Sequence, residues 1–339
     1  MPTFTPQPVI PGGNFMASLK QFVGRGGAVN GLNPAVTGRI WYVNANSETD
    51  RGERKGPIGS DSNSGRTPDN PFATVARAFE FIDCYDIIVL DGVITEQVVA
   101  PLGVFDVTLI GAANRPRQAT SSGVPTGGGA SWLSPATPVA ATPLLELIEQ
   151  GWTIANIQMA PVASSACIRL TRQEDSVKPD ASHASILGCY LVGGGANGIG
   201  IEDNGGCGFV LVAGNRFHAL GDSALKGLNT AIAIPLGWQI GGQGVNGNRF
   251  QQNLNDVKMS LSYGAIENNK FMTAGSGATN KVISTTAVAV QGGNNHILLN
   301  QFSNSEAEIA PGSGFTGAAS DTWMNYVNSQ AALAFGQPA

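Results

Sequence analysis

Beyond residue 150, apolar and polar positions recur in one short order. The segments IANIQM (Ile154 to Met159), ILGCYL (Ile186 to Leu191), VAGNRF (Val212 to Phe217), VNGNRF (Val245 to Phe250), IENNKF (Ile266 to Phe271) and ILLNQF (Ile297 to Phe302) share a template. It reads aliphatic, any, small or polar, Asn, any, large apolar. The last positions lie 32, 26, 33, 21 and 31 residues apart, a variability that suits coils with loops of unequal length rather than helical repeats of fixed length. Successive strand residues face opposite ways, so the aliphatic residue points inward, the Asn lies in a tight bend, and the large apolar residue re-enters the core. Asn suits the bend because it tolerates the left-handed region and bonds to nearby backbone. Asn215, Asn248, Asn269 and Asn300 are expected to stack rung over rung through their amides, with Phe217, Phe250, Phe271 and Phe302 stacked beside them inside. Ile157 and Cys189 stand at the Asn position of the earlier coils. With rungs about 4.8 Å apart, roughly nine coils make a rod of about 40 Å. The pattern predicts an all-β chain wound as a single-stranded parallel β-helix.

The pattern differs on either side of the repeats. Residues 1–38 read as an extended arm, with four prolines up to Pro11 followed by Gly12-Gly13, Gly26-Gly27, Asn30-Gly31 and Asn33-Pro34, turn formers that cannot build a core. The arm carries Phe4, Phe15, Met16, Leu19 and Phe22, apolar groups costly to leave in water, and these are expected to lie on a neighbouring subunit. Residues 39–112 form the entry to the rod: a strand over Arg39 to Asn44, a polar loop from Gly59 to Gly65, and a capping helix over about 70–83. Asn70 is its expected N-cap and Pro71 its first residue, with Phe72, Val75, Phe79 and Ile82 on one face. Coils fill 113–311, interrupted by long loops at 114–143, with Trp132, and 221–241, with Trp238. The pattern fades after Pro311, so 312–339 reads as a C-terminal cap, with a short helix in DTWMNYVNSQAALAF anchored by Trp323, Tyr326 and Val327.

The order WYV, GSDSNSG, NPFATVARA, DIIVLDGVITE, VTLIGA resembles the N-terminal entry of pectate-lyase-like right-handed β-helix proteins. The resemblance covers about residues 39 to 112 and implies a right-handed rod with an N-terminal capping helix. The same entry occurs in enzymes, adhesins and phage virion proteins, so it implies a fold and not an activity.

Composition narrows the function classes. Charged residues make up 13% and Gly numbers 45, against an ordinary charged share of about a quarter; such a surface suits contact with other protein as well as repetitive β corners. Net charge is −5 with 19 dispersed Lys and Arg, which argues against nucleic acid. No apolar run approaches a membrane span and the N-terminus lacks a secretion signal, so no membrane partner is expected. The four cysteines form no CxxC pair and read as buried free thiols. His183, His218 and His296 fall at unrelated offsets, and Asp61-Ser62-Asn63-Ser64-Gly65 lacks the closing acid of a calcium loop, so neither metal nor cofactor is expected. Among Glu202, Asp203, Asp222, Asp256, Glu267, Glu306 and Glu308, the nearest to a catalytic pair are Asp203 and Asp222, but Asp203-Asn204-Gly205 has the composition of a turn. No catalytic residue is therefore expected.

The leading expectation is a non-enzymatic structural virion protein of a bacteriophage. It would be a homotrimeric capsid decoration, or cement, protein, assembled in the host cytoplasm and held on the major capsid or another virion protein at the head surface by its arm. The second expectation is a tailspike or adhesin binding host surface polysaccharide, with Trp132 or Trp238 as a stacking platform. The third is a polysaccharide lyase or glycoside hydrolase.

Overall fold

Three short strands per coil, each sending one apolar side chain inward, build the whole rod. The computed structural model describes residues 38–45, 57–112, 130–162, 164–172, 180–193, 197–227, 235–242, 247–272, 283–284 and 293–302, and the backbone of 315–316, 322–327 and 333–335. Phe4, Phe15, Met16, Leu19 and Phe22 lie outside them. Strands on the first wall align Trp41, Ile88, Leu109, Ile154, Ile186, Val212, Ile240, Ile266 and Ile297 in register. The second wall aligns Ile94, Trp132, Met159, Leu191, Phe217, Phe250, Phe271 and Phe302. The third aligns Leu145, Ile168, Ile201, Leu225, Val257 and Ile283. All these residues are buried. The first two walls bond into a 17-stranded sheet and the third is an 8-stranded sheet. Every strand pairing is parallel except the last, between Thr322–Val327 and Leu333–Phe335, and the coil is right-handed, the hand that parallel crossovers take.

The Asn ladder forms as the pattern predicts. Asn215, Asn248, Asn269 and Asn300 are at most 2% exposed. Each side-chain Nδ2 donates to a first-wall carbonyl one coil below: Ile186, Val212, Ile240 and Ile266 respectively. Each Oδ1 accepts the backbone N–H of the rung below, and the lowest such donor is Cys189, which is why a thiol suffices there. Beside the ladder, the rings of Phe217, Phe250, Phe271 and Phe302 stack at 4.8, 4.7 and 5.0 Å with interplanar angles of 5°, 7° and 10°. Such contacts are worth about 0.5–1.5 kcal/mol each beyond the area they bury.

Four expectations are corrected. The left-handed residue of the Asn corner is the one before the ladder Asn: Asn156, Gly188, Gly214, Asn268 and Leu299 have φ of 55°, 61°, 68°, 60° and 57°. The ladder position is reserved for amide bonding instead. In the coil read as VNGNRF the first-wall aliphatic residue in register is Ile240, and Val245 lies outside the described residues. The long loops are shorter than 114–143 and 221–241, because Ala130–Leu133, Ser223–Gly227 and Gln239–Gly241 are strands. Finally, the tail continues the rod as strand Thr322–Val327, laid parallel on His296–Phe302, where pairing with the preceding rung overrides the expected helix.

The capping helix is Val75–Phe79, starting later than expected, with Thr74 rather than Asn70 as N-cap. Thr74 Oγ1 accepts from Arg77 N at 3.1 Å. Asp61 Oδ1 accepts from Ala73 N and Thr74 N at 2.9 and 3.0 Å, and the Glu96 carboxylate accepts from Val75 N and Ala76 N, both at 2.9 Å. Two acids thus satisfy the open donors of the first turn. The Asp61 loop is accounted for as a cap.

Cys167, Cys189 and Cys207 are buried and Cys84 is half-buried, all as free thiols. Burial raises the thiols of Cys167 and Cys207 and pushes Cys189 up to about 12. Since thiolate is the reactive form, maleimide labelling followed by intact mass is expected to add one label to the native protein, on Cys84, and four after unfolding.

Candidate functional site

Trp132 and Trp238, expected as exposed stacking platforms, are not available for that role. Their exposures are 0% and 1%. Trp132 lies on the inward row of the second wall and its Nε1 donates to Glu96 O at 2.8 Å; Trp238 Nε1 donates to Cys207 O at 2.6 Å. An indole ring buries more apolar area here than a loop tip allows, and a carbonyl inside the wall meets its single donor.

Nor do the acids converge. Asp203 lies inside the rod, in register with Leu170, wholly buried, accepting from Gly206 N at 3.1 Å and Cys207 N at 2.8 Å. Asp203 and Asn204 close the strand Ile199–Asn204, so the turn expected at Asp203-Asn204-Gly205 starts only at Gly205, whose φ is 119°. Burial drives its carboxyl up to about 7, against the lowering effect of those backbone bonds and of Arg172. Asp222 lies elsewhere, 2.6 Å from Lys226; burial raises its carboxyl, but hydrogen bonds from Lys226 and Ser223 outweigh that and hold it below the ordinary range. On the outer face of the third wall, Glu146, Arg169, Glu202, Lys226 and Lys258 fall in register. Arg169 Nε meets Glu202 Oε2 at 2.6 Å and Thr171 Oγ1 donates to Glu146 at 2.7 Å. Signs alternate along most of this row, so its charges satisfy one another. Among the described residues no group of three His, Cys, Asp or Glu is placed to hold a metal.

A different feature stands out at the corner between the third and first walls. The residue three positions before each inward aliphatic of the first wall is left-handed: Tyr85, Asp106, Gly151, His183, Phe209, Gly237, Tyr263 and Asn294, with φ between 52° and 75°. Backbone bonds from Gly151 N to Ser182 O, His183 N to Gly208 O, Phe209 N to Leu236 O, Gly237 N to Ser262 O and Tyr263 N to Gly293 O place these on successive rungs. Tyr85 is 38%, Phe209 59% and Tyr263 69% exposed, and His183 is exposed as well. The His183 and Phe209 rings stack at 5.2 Å and 22°, and Tyr85 meets Phe105 edge-on at 5.6 Å. Gly237 makes room for the Phe209 ring, which lies over it: a Cβ there would come within 2.9 Å of that ring. Asp106, near His183, has its carboxyl raised by burial and partly lowered by that imidazole.

Of these ridge residues only His183 was weighed from sequence, as a metal ligand, although a signal for the ridge exists. Tyr85, His183, Phe209 and Tyr263 keep a constant offset of three from Ile88, Ile186, Val212 and Ile266, which extends the repeat template upstream.

The walls and the ridge define a class: a single-stranded right-handed parallel β-helix displaying aromatic side chains along one outer corner. No protein-family model and no curated protein matches the chain. Among solved structures it is similar to a pectin methylesterase from Aspergillus niger, with TM-score 0.45, 11% identity, and coverage of 81% of this chain and 87% of that one. It is similar also to a pectate lyase, with TM-score 0.36, 12% identity, and coverage of 87% and 82%. The Dettilon tailspike protein gives TM-score 0.29, 11% identity, and coverage of 85% and 68%. These are likenesses of fold.

Proposed function

We propose that this protein is a carbohydrate-binding β-helix that holds a glycan along its aromatic ridge without cleaving it. The observation that carries the reading is the placement of bulky aromatics at left-handed positions on the open surface. Gly151, Gly237 and Asn294 occupy the same conformation at the same corner, and the Asn corner fills it with Asn156, Gly188, Gly214, Asn268 and Leu299, so the turn itself does not require aromatics. A bulky side chain in that region costs about 1–2 kcal/mol, and burial does not offset it for Phe209 and Tyr263, which are mostly exposed. Strain of this kind gathers at binding and catalytic sites, and exposed apolar ridges mark interaction surfaces.

An aromatic face suits a sugar, whose flat C–H face stacks on the ring while its hydroxyls stay in water. Phe209 and Tyr263 are two rungs apart, about 10 Å, so separate units of one chain meet separate platforms. Binding without cleavage fits the placement of Glu202 and Asp222, which are ion-paired, and of Asp203, which faces the interior. The expectation of a capsid decoration protein rested on the arm, and nothing in the described residues bears on it.

A polysaccharide microarray tests the proposal. The intact protein is expected to bind a restricted set of glycans, and Phe209→Ala to lower that affinity about tenfold. Val139→Ser, an equally exposed apolar site at 65% away from the ridge, is expected to leave binding unchanged. Equal binding by the Phe209 variant would refute the ridge.

A further inference from the structure

The outward row of the second wall poses an electrostatic problem that the described residues leave unsolved. Tyr190, Arg216, Arg249, Lys270 and Gln301 fall in register on five successive rungs. Three cations therefore lie one above another at about 4.8 Å per rung, an arrangement that repels. On the third wall the same chain meets the same crowding mostly with alternating signs, Glu146, Arg169, Glu202 and Lys226, before Lys258 follows Lys226. On the second wall no acid among the described residues forms an ion pair with Arg216, Arg249 or Lys270. Overall charge does not explain the strip, because the protein is net negative at −5.

The strip is also preorganised. The Arg216 guanidinium lies 5.0 Å over the Tyr190 ring and its Nη2 donates to Gln251 Oε1 at 3.1 Å. Tyr190 OH pairs with His218 Nδ1 at 3.0 Å, and His218 Nε2 with Gln252 Oε1 at 2.9 Å. Arg216 Nε is buried and has no hydrogen-bond partner, a state that costs about 1–3 kcal/mol unless a ligand supplies an acceptor. Arg249 and Lys270 are exposed. Below Arg216 the row closes, since Tyr190 is buried and Ser131 and Gln158 are wholly so, and the open track runs from Arg216 to Gln301, three rungs or about 14 Å.

We propose that this track is a second binding site, for an acidic polysaccharide laid along the rod with its carboxylates on Arg216, Arg249 and Lys270. Spacing favours a glycan over an extended acidic peptide, whose same-side residues recur only every 6.6 Å or so. A sugar unit is closer in length to one rung. The inference rests on the reading of the chain as a carbohydrate binder but not on the ridge, which lies along a different corner.

Calorimetry on the full chain with an oligogalacturonate hexamer, its methyl-esterified neutral counterpart, a glutamate hexapeptide and a DNA hexamer tests it. The acidic hexasaccharide is expected to bind at least tenfold tighter than the other three, and Arg249→Gln/Lys270→Gln to weaken it at least tenfold while raising the melting temperature through relieved repulsion. Binding is also expected to weaken as salt rises from 20 to 500 mM, as attraction between exposed charges is screened. Equal binding of the neutral sugar, or equal or tighter binding of peptide or DNA, overturns the inference. If the acidic hexasaccharide binds and only Phe209→Ala/Tyr263→Ala weakens it, the track falls and the ridge stands. If only the Arg249/Lys270 variant weakens it, the ridge falls and the track stands. No binding of the acidic hexasaccharide overturns the track and leaves the ridge to its own test.

Discussion

Asn269→Ala is expected to destabilise the rod by about 3–5 kcal/mol, while Asn268→Ala, one residue earlier, costs at most about 1 kcal/mol. The two amides are neighbours with opposite duties. Asn269 Oδ1 accepts from Asn248 N and Nδ2 at 2.9 and 3.0 Å, and its Nδ2 donates to Ile240 O and Asn300 Oδ1 at 2.9 and 3.0 Å. Truncation leaves at least the Asn248 N–H and the Ile240 carbonyl without these partners in a dry interior, each worth about 1–3 kcal/mol. Asn268 is exposed and makes one surface bond, to Gly242 O at 3.1 Å; its loss mainly exposes the preference of Asn over Ala for a left-handed φ of 60°. Urea unfolding monitored by circular dichroism separates them. Similar midpoints for the two variants would show that the ladder does not carry the stability assigned to it.

The second large effect is a fall in stability with rising pH, caused by Asp203. Its carboxyl is raised to about 7 by burial, against about 3.9 in an unfolded chain. Between those values the native state holds a proton that the unfolded state has released, so ν_N exceeds ν_U and stability falls as pH rises. The contribution is fully present below about pH 4 and is lost as pH climbs through about 7, with a limiting slope of about 1.4 kcal/mol per unit. Asp203→Asn, which cannot ionise, is expected to flatten that part of the profile, although its amide accepts from only one of Gly206 N and Cys207 N. Urea midpoints from pH 4 to 8 check this; equal slopes in both proteins would place the titration elsewhere.

The sequence makes the rod legible because each coil repeats a demand that only a few residue types meet. A buried amide must both donate and accept between rungs, so Asn recurs, and a ring must fill the space beside it, so Phe recurs. What misled was chemistry shared by two roles. Asn also favours left-handed corners, so one residue was given both duties, whereas Gly214 and Asn215 divide them. Trp reads equally as a surface platform or a core filler, and the inward register of Trp132 with Met159 decides for the core. The helix start was misplaced because Asp61, remote in sequence, bonds Ala73 and Thr74 and fixes the cap there. The ridge went unread because its members, Tyr, His, Phe, Gly, Asp and Asn, share a backbone conformation and no side-chain type.

That conformation supplies the most direct test of the carbohydrate-binding account, in which strained aromatics are kept for ligand and against stability. Phe209→Gly/Tyr263→Gly relieves two left-handed bulky residues, and the melting temperature and the affinity for the strongest microarray glycan are measured on the same preparation. The account predicts that melting temperature rises, by the equivalent of about 1–3 kcal/mol, while affinity falls at least tenfold. A variant that melts lower than the parent, or binds the glycan as tightly, contradicts it.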